Sequence, residues 1–152
     1  MSDSLVLAVL LAHAAATWFM TGLSWTIHAL HYPLFATVGE DFVAYESEHG
    51  RRISTLVAVP WSVECLTAVS LPVLVGDRVP LWLPITGLAL VGVLLGSTML
   101  LQVPAHRLLG QGFNPAAHRR LLRTDRIRVA AWSARSVLAI WMVAVALDVG
   151  PG

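Results

Sequence analysis

Imidazoles and hydroxyls share one line in the first apolar stretch: His13, Thr17, Thr21, Ser24, His28 and His31. At ~100° per residue these six side chains fall within about 80° of one another on a helix, a single polar stripe on an otherwise apolar segment. Neutral imidazole offers one lone pair and one N–H, which suits metal or haem ligation and proton transfer near neutral pH. His28 and His31 are therefore candidate catalytic residues and, with His49 and His106, candidate metal ligands. Haem, iron and copper are the cofactors such a set could take, and the sequence does not choose among them. Arg128 and Arg135 supply guanidinium for an anionic oxygen such as a propionate, enolate or carboxylate. Ser24, Trp25, Gln102 and Trp132 are candidate substrate-binding residues, with the two tryptophans as walls of an apolar pocket.

Glu64 is a different case. Counting ~1.5 Å per residue from Ile53 puts it ~16 Å into an apolar run, near the middle of a ~30 Å hydrocarbon core. An ionisable group there is a catalytic candidate by default, and a buried salt bridge to Arg135 is the competing account. Glu46 and His49 have the Glu-x-x-His spacing of di-iron bundles, but the chain has no second such pair. Walker loops, dinucleotide glycine patterns, nucleophile elbows and zincin motifs are all missing from the sequence.

Four apolar runs must position these groups. The 152 residues are 57% hydrophobic and 12% charged, which excludes an ordinary soluble domain and points to an integral membrane protein. The expected fold is all-α, a four-helix membrane bundle in one domain, with spans at about 5–32, 53–75, 81–103 and 127–149. The MSDS flank of the first run carries an acid and no base, so that run reads as a span and not as a signal peptide. Pro33 is expected to end the first helix near His31 or Tyr32. Thr37 and Glu40 have capping-box spacing, predicting a short interfacial helix closed by Gly50, with Phe42 and Tyr45 toward the bilayer. Pro60 and Pro72 are expected to kink the second span. Gly87, Gly92 and Gly96 suit close helix approach or a homo-oligomer contact. Asn114-Pro115 is a helix start, opening a long last helix with His118, Leu121, Asp125, Arg128, Trp132 and Arg135 on one side.

All ten basic residues are arginine, and the net charge of +1 gives no nucleic-acid footprint. Arg51 and Arg52 follow the first span, and Arg107, Arg119, Arg120, Arg123 and Arg126 follow the third, against Arg78 alone on the opposite side. The positive-inside rule then places the arginine-rich end in the cytoplasm and both termini outside a bacterial inner membrane. Five of the six histidines collect at that end, His13 being the exception. The single cysteine, Cys65, excludes an intramolecular disulfide.

The stretches WTIHALHYPLFATVG, YESEHGRR and LQVPAHRLLGQGFNPAAHRRLLRTDRIRVAAWSARSVL together resemble a largely uncharacterised family of small bacterial four-span membrane proteins. Asn114 followed by Arg128, Trp132 and Arg135 is similar to the last-helix pattern of anthrone-oxygenase-like membrane proteins. His13 with Trp18-Phe19 and Gly22-Leu23 resembles the four-span protoporphyrinogen oxidases, where a helix-one histidine is a haem-ligand candidate. The rest of this chain departs from that oxidase pattern. These resemblances imply an oxidoreductase or oxygenase acting on a flat, hydrophobic, polycyclic or quinone-like molecule in the bilayer. In that reading His28 and His31 bind a metal or act as acid and base, Gln102 and His106 face them, and Arg128 or Arg135 holds an anionic oxygen. The alternative is a non-catalytic membrane protein, either an accessory subunit or a small-solute or proton pathway built on Glu64 and Arg135.

Overall fold

A computed structural model describes residues 3–148. The fold is an all-α four-helix bundle whose four long runs, Asp3–Thr37, Gly39–Leu74, Trp82–Leu109 and Pro115–Asp148, are each long and apolar enough to cross a membrane. Only helices satisfy every backbone polar group within one segment, which is why so apolar a chain folds this way.

The first run begins as α1 (Asp3–Thr26) and passes through a π-helical segment, Ile27–His31, into Tyr32–Leu34 and a closing 3₁₀ turn. Pro33, expected to end this helix, does not end it. The second run enters through a turn at Gly39, whose φ of 77° is the left-handed geometry that glycine adopts without steric cost. It continues as α2 (Phe42–Leu74), one unbroken helix through Pro60 and Pro72. The expected separate interfacial helix is therefore the first part of α2. Gly50 lies inside it, and the Thr37 hydroxyl donates backward to the Leu34 carbonyl at 2.7 Å instead of capping. Phe42 is 2% exposed, so this aromatic face packs into the bundle and not against lipid.

The third run is α3 (Trp82–Ser97), a π-helical segment Thr98–Gln102, and the continuation Val103–Leu109. The last is α4 (Pro115–Asp148), opened as expected: the Asn114 side-chain oxygen accepts from the backbone N–H of Ala116 and Ala117 at 2.9 and 3.0 Å. Of the glycines on α3, Gly87 meets α4 at Arg135, whereas a Cβ at Gly92 or Gly96 would meet nothing within 4 Å. Val149, the end of the expected fourth span, lies outside the described residues.

Three apolar layers stack along the bundle. Phe35, Phe42, Leu109 and Leu121 fill the arginine-rich end. Met20, Leu94, Ala131 and Trp132 fill the middle, and Leu10, Leu71, Leu83 and Met142 the far end. Polar side chains lie between these layers, so the interior alternates apolar and polar along its axis.

Candidate functional site

The two π-helical segments have the same relation to a proline. Ile27–His31 precedes Tyr32-Pro33, and Thr98–Gln102 precedes Val103-Pro104. Proline removes a backbone donor and its ring presses on the turn before it, and a widened turn absorbs both without breaking the helix. The wider winding also changes which way the following side chains face. His28 and His31, expected on one stripe, diverge: His28 turns to α4 and His31 to α2.

Beyond these segments, side chains from all four helical runs converge. The His106 Nδ1 lies 2.5 Å from Glu46 Oε1, and its Nε2 lies 3.0 Å from the Tyr32 hydroxyl. With Glu46 as a carboxylate, which only accepts, Nδ1–H donates to it, and in the neutral imidazole Nε2 then accepts from Tyr32. Glu46 is 6% exposed and Tyr32 3%. Next to this line, His31 Nε2 and His49 Nδ1 are 2.8 Å apart, and the Tyr45 hydroxyl reaches His31 Nδ1 at 3.5 Å. The His118 Nε2–H donates to the Tyr32 carbonyl at 2.8 Å, fixing the backbone from which Tyr32 projects. On the other side, Asp125 is 1% exposed and joins His28, at 3.0 Å, to Arg128, at 3.3 Å. The guanidinium offsets the buried carboxylate, and the pair is held at one i,i+3 spacing on α4.

These groups border a cavity of about 690 Å³ between α1, α2, the π-helical end of α3, and α4. Its walls include Met20, Leu23, Ile27, Val57, Trp61 and Trp132, with Tyr32, Glu46, His49, Gln102, His106 and Arg128 among the polar groups. Six buried polar atoms of lining residues have no protein partner: Ser24 Oγ, Glu46 Oε2, Trp61 Nε1, Thr98 Oγ1, Gln102 Oε1 and Arg128 Nε. Leaving a buried polar atom unsatisfied costs about 1–3 kcal/mol, and these six are closed off from the open cavity as well as from solvent, so the wall that a guest meets is mainly apolar with partnered polar groups between. A cavity of this size and mixed lining matches a small-molecule site.

Comparison with protein-family models, with curated proteins and with solved structures found no match. The site is therefore read from its own geometry.

Of the expected site residues, Ser24, His49, Gln102, His106, Arg128 and Trp132 line the cavity. Trp25 does not: it is 51% exposed on the outside of the bundle, and its Nε1–H donates to Ser133 at 3.1 Å. Glu64 and Arg135 are also outside it. They pair with each other, 0% and 1% exposed, and Arg135 donates to the Gly87 carbonyl. Their layer, with the hydrogen-bonded pairs His13–Thr67 and Thr21–Ser136, is separated from the cavity by Met20, Leu94, Ala131 and Trp132.

His28, His31, His49 and His106 do not form one ligand set. The nitrogens of His31 and His106 are all engaged in the hydrogen bonds above, and His28 faces Asp125. Among the described residues no three His, Cys, Asp or Glu side chains converge as a metal site. His13, the haem-ligand candidate implied by the oxidase resemblance, donates from Nδ1 to Thr67 at 2.8 Å beyond the apolar middle layer. A four-histidine metal centre does not form among these residues, and His13 lies in a different layer from the cavity.

Thr98 lines the cavity with Gln102 and His106, as their four-residue spacing on one face suggests, whereas sequence reading missed Tyr32, Glu46 as the partner of His106, Asp125 as the anchor of Arg128, and the Trp61 wall. Only Asp125 left a signal, since it shares the inward side of the last helix with His118, Arg128 and Trp132.

Proposed function

We propose that the protein is an integral membrane oxidoreductase or oxygenase that binds a hydrophobic polycyclic or quinone-like molecule in the 690 Å³ cavity. The observation that carries this reading is a largely apolar cavity of small-molecule size bordered by a Glu–His–Tyr line and a guanidinium. Flat conjugated molecules gain from Trp61 and Trp132, and their oxygen substituents suit Tyr32 and Arg128 on the same wall. His106 and Tyr32 supply acid–base capacity, and Arg128 an anchor for an oxyanion. His28 acts one step away, orienting Asp125 and through it Arg128.

The excess of arginine at the cavity end supports a cytoplasmic location for it in a bacterial inner membrane, with both termini outside. A solute or proton pathway is disfavoured, because the apolar layer of Met20, Leu94, Ala131 and Trp132 interrupts the polar groups. The test is tryptophan-fluorescence quenching of the protein in lipid nanodiscs by 1,4-naphthoquinone and by anthrone, followed by oxygen uptake with anthrone. Saturable quenching that Ser54→Trp at the cavity rim abolishes supports the site. Quenching that rises linearly with ligand, as simple partition into lipid does, removes it. Binding without oxygen uptake, and without turnover of reduced naphthoquinone, leaves a carrier or accessory protein.

A further inference from the structure

We infer that Tyr32 is the group that takes a proton from the bound molecule, that His106 and Glu46 drive it, and that the molecule carries an ionisable hydroxyl on a conjugated ring or enol. This inference rests on the cavity reading above and assigns its substrate class.

Direct transfer to His106 is closed off, because Nδ1 is bonded to Glu46 and Nε2 to Tyr32. Tyr32 lines the cavity, and its oxygen, which accepts from the Arg128 guanidinium, keeps a second lone pair for a guest. Proton transfer then runs along one line. The guest O–H bond breaks and its proton goes to the Tyr32 oxygen. The proton that Tyr32 held passes to His106 Nε2, and the resulting imidazolium faces the Glu46 carboxylate. The products are a guest oxyanion, a neutral tyrosine and an ion pair, with no electron moved. The oxyanion forms beside Arg128, whose guanidinium also lies next to the Tyr32 hydroxyl and is anchored by Asp125.

Other charged or titratable groups around Tyr32 have separate partners. His49 and His31 bond each other, His28 bonds Asp125, and His118 bonds the Tyr32 carbonyl and not its hydroxyl. The hydroxyl requirement comes from the line itself: Tyr32 already donates its own proton to His106, so toward a guest it can only accept. Glu46 Oε2 and Gln102 Oε1 are buried away from the open cavity and do not compete for the guest's proton. A guest with only carbonyl oxygens has no proton to give this line, whereas a phenol or hydroquinone does.

The experiment uses the full chain in nanodiscs with 2-naphthol, whose neutral and anionic forms differ in absorption, titrated with pH at saturating protein. Bound 2-naphthol should ionise at least about one pH unit below its value in empty nanodiscs, a tenfold stabilisation of the anion. Tyr32→Phe should lose most of that shift, leaving only what the neighbouring Arg128 supplies. Glu46→Gln, which keeps an acceptor for His106 but removes the charge, should lose most of the shift and serves if Tyr32→Phe fails to fold. Binding with no shift in the wild type, or a full shift in Tyr32→Phe or Glu46→Gln, overturns the relay and leaves the cavity reading standing. If neither 2-naphthol nor 2-methoxynaphthalene binds, the relay and the cavity reading both fall.

Discussion

Arg135 of α4 faces Glu64 of α2 as a closed ion pair in the half of the bundle away from the cavity, and its second anchor is the Gly87 carbonyl of α3. One guanidinium thus ties three helices at one level. Removing one partner of a buried pair strands the other charge and costs about 3–5 kcal/mol, whereas replacing both with apolar residues of similar volume is often near neutral. Glu64→Leu should therefore lower the unfolding midpoint in detergent sharply, and Glu64→Leu with Arg135→Met should recover most of the loss. A double variant as unstable as the single one would mean that the charges do more than pair.

The third run is tied to α4 through Gln102, whose amide N–H donates to Thr124 at 3.0 Å. Gln102→Leu removes that bond and should lower stability by about 1 kcal/mol, read from the unfolding midpoint. 2-Naphthol and 2-methoxynaphthalene should be affected equally, since the one O–H of 2-naphthol goes to Tyr32. Fluorescence titration of both ligands measures this, and a loss confined to 2-naphthol would place the Gln102 amide on the guest.

Asn114 caps α4 far from the ion pair and accepts two backbone N–H groups. Asn114→Ala should cost about 1 kcal/mol of stability, read from the unfolding midpoint, with naphthol affinity unaltered. Loss of affinity would tie the start of α4 to the cavity more closely than its packing implies.

Orientation is testable with single cysteines in a Cys65→Ser background. Gln111→Cys, in the connection between α3 and α4, should resist a membrane-impermeant maleimide in intact cells and react after lysis. Asp77→Cys, in the turn between α2 and α3, should react in both. The reverse pattern would place the arginine-rich end outside.

Much of the fold was legible because lipid leaves few choices. Apolar runs of spanning length become helices, Asn114-Pro115 starts one of them, and the inward side of the last helix was readable from the spacing of His118, Asp125, Arg128, Trp132 and Arg135. The pairing of Glu64 with Arg135 could be weighed from depth alone. The candidate site was legible only as a neighbourhood. Pro33 reads as a helix end by local rules, and nothing local announces that a wider turn upstream will absorb it. That turn separates His28 from His31 and swings Tyr32 toward His106, so the stripe drawn at constant pitch fails where the chemistry begins. The bond between Glu46 and His106 joins residues 60 apart in sequence, and the Glu-x-x-His spacing pointed to the wrong partner, His49.

The paired π-helical segments act as fixed phase shifts in two helical screws. Each sets the facing of everything after it, independently of the lipid-facing surface before it. Substitution within Ile27–His31 or Thr98–Gln102 changes one side chain, but loss of a single residue there would rotate the whole downstream arm by roughly 100°. Tyr32 or His106 would then turn away from the cavity with its composition unchanged. The chain can vary its residues at these two places far more freely than it can vary their number.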